Sequence, residues 1–384
     1  MPFDSEFTVD ADFPGGNLIL DEIDGDAVRL HQDLRDTEGD WFFWHFRARG
    51  AAGRSLTFVF TGSPVLGTHG PAISTDGGAT YNYAPGGVVE AGRSFKHDFA
   101  PCEGEVYFCF AIPYLERHME PFFAEYADSP FLRREILCTT RKGRANERLH
   151  LGKLDGEPTY RVLLTSRHHC CESIATYCVE GFMRAVLADD AIGQWFREQV
   201  ELLVVPFVDK DGVEDGDQGK NRKPRDHGRD YADESIYPTC AAIREFVPQW
   251  SAGKLRTAMD VHCPWIRGEF NEFVYAVGHP EPEMWEQQVA YSTLLEAACS
   301  GELKHYSRNN LPFGQAWNKP GNYSAGKGAG RWAAGQPGVQ LATSLEIPYA
   351  SATGVQVTAE NARHLGGDMA RALQAYLISC QSRP

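Results

Sequence analysis

The sequence predicts an α/β fold with a mixed, largely parallel sheet flanked by helices, preceded by an all-β domain. Short β-rich runs, punctuated by Gly, Asp and Pro, fill residues 1–112. After Pro113, apolar strand-like runs alternate with stretches whose apolar residues recur at helical spacing. The chain of 384 residues is also longer than one ordinary core requires. We therefore predict two domains, residues 1–112 and residues 113–384.

The first domain is predicted to be a β-sandwich. Its β-rich runs are residues 17–20, 41–47, 56–60, 94–99 and 106–112. Short strands at this spacing, with turn residues between them, are typical of two packed sheets.

The second domain is predicted to begin with a helix over residues 115–127. A strand run at residues 161–165 follows, and after it a helix over residues 173–188. Three further strand runs are residues 200–208, 255–261 and 339–345. Sheets of this kind bind ligands at the carboxyl ends of their strands. The polar segment 209–231 is expected to be a long loop, and loops of that length are often functional.

Composition and charge exclude several classes of function. Apolar residues make up 42% and charged residues 23%, which is a globular balance, and the net charge of −15 disfavours binding to nucleic acid. No apolar run approaches the ~20 residues that span a bilayer, and the acidic N-terminus does not resemble a signal peptide. We therefore expect a cytoplasmic protein with no nucleic-acid or membrane partner. Its ten cysteines are expected to be reduced.

Two histidines and a glutamate are candidate metal ligands. His169 and Glu172 lie three residues apart, directly after strand 161–165, and His262 ends another predicted strand. A catalytic Zn²⁺ takes three such ligands and keeps one position open for water. His168 is an equally good imidazole, and only the His-x-x-Glu spacing favours His169. Asp260 is a candidate partner for a ligand histidine.

Glu346 is a candidate general base because it ends an apolar strand run. Burying a carboxylate there is costly unless it is paired or functional. The alternative interpretation is an ion-paired glutamate at the end of a strand. In the functional interpretation, Glu346 takes a proton from the attacking water and delivers it to the leaving amine.

These residues resemble the zinc carboxypeptidases, and within them the cytosolic carboxypeptidase branch. The segments 13–18 and 41–44 are similar to the opening pattern of that branch, and residues 106–114 resemble its junction into the catalytic domain. The order of His-x-x-Glu, arginine-containing loop, His and Glu also matches. The resemblance covers nearly the whole chain and implies a zinc carboxypeptidase fold that binds one Zn²⁺.

The resemblance also implies roles for individual residues. His169, Glu172 and His262 fall on the metal ligands, and Glu346 falls on the general base. Arg222 resembles the arginine that polarises the scissile carbonyl.

Arg229 resembles the arginine that binds the terminal carboxylate of the substrate. Two departures stand beside these matches. Gly228 replaces an asparagine that also binds this carboxylate, and Cys170-Cys171 replaces the common Pro-Gly.

The expected substrates are C-terminal tails of peptides or proteins. Arg331 falls where the family lines the pocket for the last side chain, so an acidic last residue, Glu or Asp, is expected. Tyr323 resembles the mobile tyrosine of the family. Two alternatives stay open: an N-acyl-amino-acid hydrolase on the same scaffold, which the Gly228 departure permits, and a non-catalytic binding protein.

Overall fold

The computed structural model describes residues 7–83, 88–90 and 92–381. The outer ends of the two predicted domains, residues 1–6 and 382–384, therefore lie outside the described residues. Ten strands lie before residue 110 in the described part of the chain: β1 (Thr8–Asp10), β2 (Ile19–Asp24), β3 (Ala27–His31), β4 (His45–Arg49), β5 (Ser55–Phe60), β6 (Ala72–Ser74), β7 (Asn82–Tyr83), β8 (Val88–Glu90), β9 (Ser94–Asp98) and β10 (Glu105–Cys109).

These strands form two five-stranded sheets, in the orders β1-β4-β10-β6-β7 and β2-β3-β5-β9-β8. The first sheet is antiparallel throughout, whereas β3 and β5 pair in parallel in the second. Phe58 of β5 lies 5.1 Å from Phe46 of β4 and 5.1 Å from Phe108 of β10, measured between ring centroids. Because these buried rings come from both sheets, the sheets pack face to face as a sandwich.

The rest of the described chain contains nine strands and eight helices. The strands are β11 (Leu132–Thr139), β12 (Ala145–Gly152), β13 (Tyr160–Ser166), β14 (Val200–Val205), β15 (Leu255–His262), β16 (Tyr275–Val277), β17 (Leu341–Glu346), β18 (Ser351–Ala352) and β19 (Val355–Gln356). The helices are α1 (Glu116–Glu125), α2 (Ser173–Leu187), α3 (Ala191–Gln199), α4 (Lys210–Asp215), α5 (Pro238–Ser251), α6 (Pro282–Ala298), α7 (Ala329–Ala334) and α8 (Ala359–Gln381).

Seven of these strands form one mixed sheet in the order β11-β12-β14-β13-β15-β17-β16. Strands β14, β13, β15 and β17 are parallel, and the outer strands pair antiparallel. Successive residues of β13 face opposite sides: Val162 and Leu164 join the core that contains α2 and α8, while Leu163 joins the core that contains α5 and α7. The predicted α/β fold, with a mixed and largely parallel sheet between helices, is confirmed. The domain boundary at residue 112 stays a prediction.

The segment 209–231 contains more regular structure than the sequence predicts. Helix α4 begins after Asp209, whose side chain accepts a hydrogen bond of 3.0 Å from the backbone N–H of Gly212. A turn of 3₁₀-helix spans His227–Arg229. None of the helices in the described ranges combines the length and the apolar character that a membrane span requires.

Candidate active site

The register of three parallel strands assembles the site. In the pairing of β15 with β17, His262 lies directly opposite Glu346. In the pairing of β13 with β15, Thr165 lies opposite Asp260. His169 lies in the turn that joins β13 to α2. The candidate residues therefore meet at the carboxyl ends of the strands, where sheets of this kind bind ligands.

His169, Glu172 and His262 could hold a metal ion, since one ligand atom from each lies within 4.8 Å of the others. The Nδ1 atom of His169 lies 3.0 Å from Glu172 Oε1, and the Nδ1 atom of His262 lies 2.8 Å from Glu172 Oε2. Burial opposes ionisation of Glu172, yet the charges of Lys220 and the two imidazoles lower its pKa well below the ordinary value. A fully buried carboxylate that faces two imidazoles is a donor set suited to a divalent cation.

The ring of His262 is oriented by Asp260. The carboxylate of Asp260 accepts a hydrogen bond of 2.7 Å from His262 Nε2, which turns Nδ1 of that ring toward Glu172, where a metal ion could bind. The other oxygen of the Asp260 carboxylate accepts a hydrogen bond of 2.8 Å from His168 Nδ1. The Tyr231 hydroxyl lies 2.7 Å from His168 Nε2. His168, Asp260 and His262 are close enough to form a second candidate metal group. Neither ring nitrogen of His168 faces Glu172, whereas the Nδ1 atoms of His169 and His262 both do, so we favour His169 as the ligand.

Asp226 is a functional candidate that sequence reasoning missed. Its Oδ1 atom lies 3.8 Å from His169 Nε2, on the side of the ring opposite Glu172. Burial alone would raise the pKa of Asp226. The contact with His169 helps to lower this pKa below its ordinary value. Each proposed ligand histidine thus has a carboxylate next to its Nε2 atom. The signal was present in the sequence as an acidic residue two positions before Gly228.

Glu346 lies beside the candidate metal ligands, opposite His262 in the sheet. Its side chain is buried and lines the same cavity as His169 and His262. Among the described residues, none makes a hydrogen bond to Glu346 Oε2. Burial raises the pKa of Glu346 above its ordinary value, the neighbouring charge of Glu172 raises it further, and His262 opposes this. A carboxylate with a raised pKa accepts a proton more readily than one at its ordinary value.

The three predicted substrate residues line this same cavity, whose volume is about 450 Å³. The guanidinium carbons of Arg229 and Arg331 lie 4.8 Å and 3.8 Å from the ring centroid of Tyr323. The Tyr323 hydroxyl donates a hydrogen bond of 2.7 Å to Asn318. Two cations and an aromatic ring therefore form one part of the cavity lining.

Arg222 lies elsewhere. It lines a second cavity, of about 490 Å³, and its guanidinium is surrounded by three carboxylates. Its nitrogens lie 2.9 Å from Asp36, 2.5 Å from Asp209 and 2.9 Å from Asp217. Burial lowers the pKa of Arg222, but the neighbouring carboxylates raise it by more. The pKa therefore lies above its ordinary value and the guanidinium stays charged. These contacts indicate a residue that holds its loop in place; the predicted role of Arg222 in polarising a carbonyl stays a prediction.

The N-terminal sandwich fixes the same loop. Asp36 accepts a hydrogen bond of 2.8 Å from the backbone N–H of Gly219. Gln218 makes two hydrogen bonds of 2.8 Å with the backbone of Phe43, one through its oxygen and one through its nitrogen. Thr37 donates to the backbone carbonyl of Lys220 at 2.5 Å.

Gly228 is required by the close approach of His169. A Cβ atom built at position 228 would lie 2.7 Å from His169 Nε2, well inside van der Waals contact. The asparagine that the resemblance leads one to expect here therefore cannot fit unless the imidazole moves. The substrate carboxylate is left with one fewer candidate donor in this chain.

Gly228→Ala should weaken metal binding because the new methyl group displaces the ring of His169. We expect the affinity for Zn²⁺, measured by competition with a chromophoric chelator, to fall about 10- to 100-fold, the size of effect seen when a ligand histidine loses its support. Gly321→Ala is the control, because a Cβ atom there meets nothing within 4 Å. Unchanged affinity in Gly228→Ala would show that the ring is free to move.

Comparisons with known proteins agree with this geometry. No protein-family model matches the chain. It is 24% identical over 212 residues to an uncharacterised protein of Zymomonas mobilis, covering 53% of this chain and 54% of that protein. It is 26% identical over 146 residues to cytosolic carboxypeptidase 2 of Xenopus tropicalis, covering 36% of this chain and 15% of that protein. The matches thus span about half of the first relative's length and much less of the second's.

The fold is shared with solved metallo-carboxypeptidases. The metallo-carboxypeptidase of Burkholderia cenocepacia superposes with a TM-score of 0.77 at 20% identity, over 97% of this chain and 99% of that chain. Its coverage includes both the N-terminal sheets and the mixed sheet of this chain. The chain therefore has the fold of the metallo-carboxypeptidases and is similar, over part of its length, to cytosolic carboxypeptidases.

Proposed function

We propose that this protein is a zinc-dependent carboxypeptidase that removes the last residue from peptides or protein tails. The observation that supports this best is the meeting of His169, Glu172 and His262 within reach of one ion. Glu346 is buried, lines the same cavity, and has an Oε2 atom that makes no hydrogen bond within the described residues. Nitrogen and carboxylate ligands in this number suit Zn²⁺.

The residues divide the reaction between them. Bound zinc would supply Lewis-acid polarisation of the scissile carbonyl and would acidify water. Glu346 takes a proton from the attacking water and later delivers it to the leaving nitrogen. Asp260 and Asp226 hold the two histidines in orientation. Arg229 binds the terminal carboxylate, because a planar guanidinium can form two parallel hydrogen bonds with it.

An acidic last residue fits the cavity wall best. The guanidinium groups of Arg331 and Arg229 both lie close to the ring of Tyr323. The Nη2 atom of Arg331 has no hydrogen-bond partner among the residues described. A substrate ending in Glu or Asp carries two carboxylates, one for each guanidinium. A neutral last residue leaves one buried nitrogen unpaired, which is costly.

Peptides that differ only in their last residue test both parts of this proposal, namely that the protein removes the last residue and that it prefers an acidic one. The zinc-loaded protein is expected to release the last amino acid and to prefer Glu or Asp over Leu. N-acyl amino acids in the same panel test the alternative hydrolase. If these turn over while blocked dipeptides do not, the carboxypeptidase assignment fails.

Arg331→Met should reduce the preference for an acidic end. Hydrogen bonds to charged groups contribute about 1.5–3 kcal/mol, so kcat/KM for a Glu-ended peptide should fall about 10- to 100-fold. The value for a Leu-ended peptide should stay nearly constant. Arg308→Met is the control, since Arg308 lies on Tyr306, outside the residues that line the cavity. Equal losses for both peptides would contradict a role in selecting the side chain.

A further inference from the structure

We propose that Lys220 is the cation that stabilises the oxygen of the scissile carbonyl as it becomes negatively charged. This inference rests on the proposed peptidase function and assigns to Lys220 the role that the sequence predicts for Arg222. Lys220 lines the cavity together with His169, His262 and Glu346, whereas Arg222 lines the second cavity.

The position of Lys220 within the site supports this role. Its ammonium nitrogen lies 2.5 Å from Glu172 Oε1 and 5.3 Å from the ring centroid of Trp41, which also lines the cavity. The side chain is only 14% exposed, so its charge acts across a region with little water. A lysine ammonium has three N–H donors, and one on Glu172 leaves others to point into the cavity.

The backbone explains why Lys220 rather than Arg222 reaches the site. Gly219 adopts φ +74°, and a Cβ atom there would lie 2.4 Å from the backbone nitrogen of Cys170. The loop therefore presses against the turn that carries His169, and the next side chain enters the cavity. Two residues later, Arg222 is held among Asp36, Asp209 and Asp217, and its nitrogens are engaged by those acids.

The proposed chemistry keeps Lys220 protonated throughout. The water oxygen forms a bond to the carbonyl carbon, one proton passes to Glu346, and the electron pair of the carbonyl π bond moves to its oxygen. The Lys220 ammonium donates a hydrogen bond to that oxygen, which carries the new negative charge. When the carbon–oxygen double bond re-forms, the carbon–nitrogen bond breaks and Glu346 gives its proton to the nitrogen.

Lys220→Met tests the proposal because methionine keeps much of the side-chain length and removes the charge. We expect kcat to fall about 10²- to 10³-fold, as when one oxyanion donor is removed, with a much smaller change in KM. A phosphinate peptide, which mimics the tetrahedral anion, should lose affinity in the same proportion in a binding assay that needs no turnover. Zn²⁺ affinity, measured by chelator competition, should change far less. Lys220→Arg should recover part of the phosphinate affinity.

The control is Lys223→Met, because Lys223 is 69% exposed and pairs with Glu38. Unchanged phosphinate affinity in Lys220→Met overturns the proposal. A fall in Zn²⁺ affinity that matches the fall in kcat also overturns it, because Lys220 would then act only on the metal site. If the unaltered protein hydrolyses no peptide, the proposed function fails, and phosphinate binding to the zinc-loaded protein still tests Lys220.

Discussion

Replacing Glu346 with glutamine should abolish hydrolysis while leaving the metal in place. Glutamine keeps the size of the side chain and cannot accept and return the proton, so kcat should fall by about 10²- to 10⁴-fold or more. His262 and Glu172 keep their geometry because Glu346 Oε2 makes no hydrogen bond within the described residues. Steady-state hydrolysis of a Glu-ended peptide, together with metal content measured by mass spectrometry, checks both expectations.

The control for this change is Glu286→Gln, at an exposed position on α6. It alters the net charge by the same amount outside the residues that line the cavity, and should leave kcat unchanged. Full activity in Glu346→Gln would mean that another group carries the proton. Loss of the metal in this variant would place Glu346 among the ligands instead.

His262→Ala should remove metal binding and activity together, and should also destabilise the fold. The change deletes one proposed ligand and removes one hydrogen-bond partner from each of the buried carboxylates of Glu172 and Asp260. Breaking a buried charged pair on one side costs about 3–5 kcal/mol. We expect a sub-stoichiometric zinc content, no measurable peptide hydrolysis and a midpoint of thermal unfolding several degrees lower, about 2–4 °C for each kcal/mol in a chain of moderate size.

A surface histidine provides the comparison. His364→Ala on α8 removes an imidazole that is 47% exposed, so its zinc content and activity should match those of the unaltered protein. If His262→Ala retains one zinc ion per chain, the metal lies elsewhere, because His262 belongs to both candidate metal groups.

The parts of the site that strands position could be predicted from the sequence. His262 and Glu346 each end a buried apolar run, and parallel neighbours place such ends at one edge. His169 and Glu172 follow a third run at a spacing that suits one ion. These inferences depend on apolar runs and on residue spacing, which the sequence displays directly.

The parts positioned by the loop could not be predicted in the same way. Lys220 and Arg222 are two cations two residues apart, and no periodicity tells which one enters the cavity. The outcome depends on the approach of Gly219 to Cys170 and on Asp36, which is more than 180 positions earlier in the chain. Sequence reasoning also missed the paired strands β11 and β12, because β11 is partly exposed on both faces and lacks the alternation that marks a half-buried strand.

Asp36 and Phe43, in the N-terminal half of the chain, form hydrogen bonds with residues 218–219 in the C-terminal half. The site in the second half therefore depends on the first. The wall of the cavity that carries Lys220 is built by the second half and held in position by the first. A fragment that begins after residue 112 would carry every proposed ligand and yet lack the template for this wall. Substitutions in the short stretch 36–43 of the sandwich are therefore expected to alter this wall, although that stretch lies far from any reacting atom in sequence.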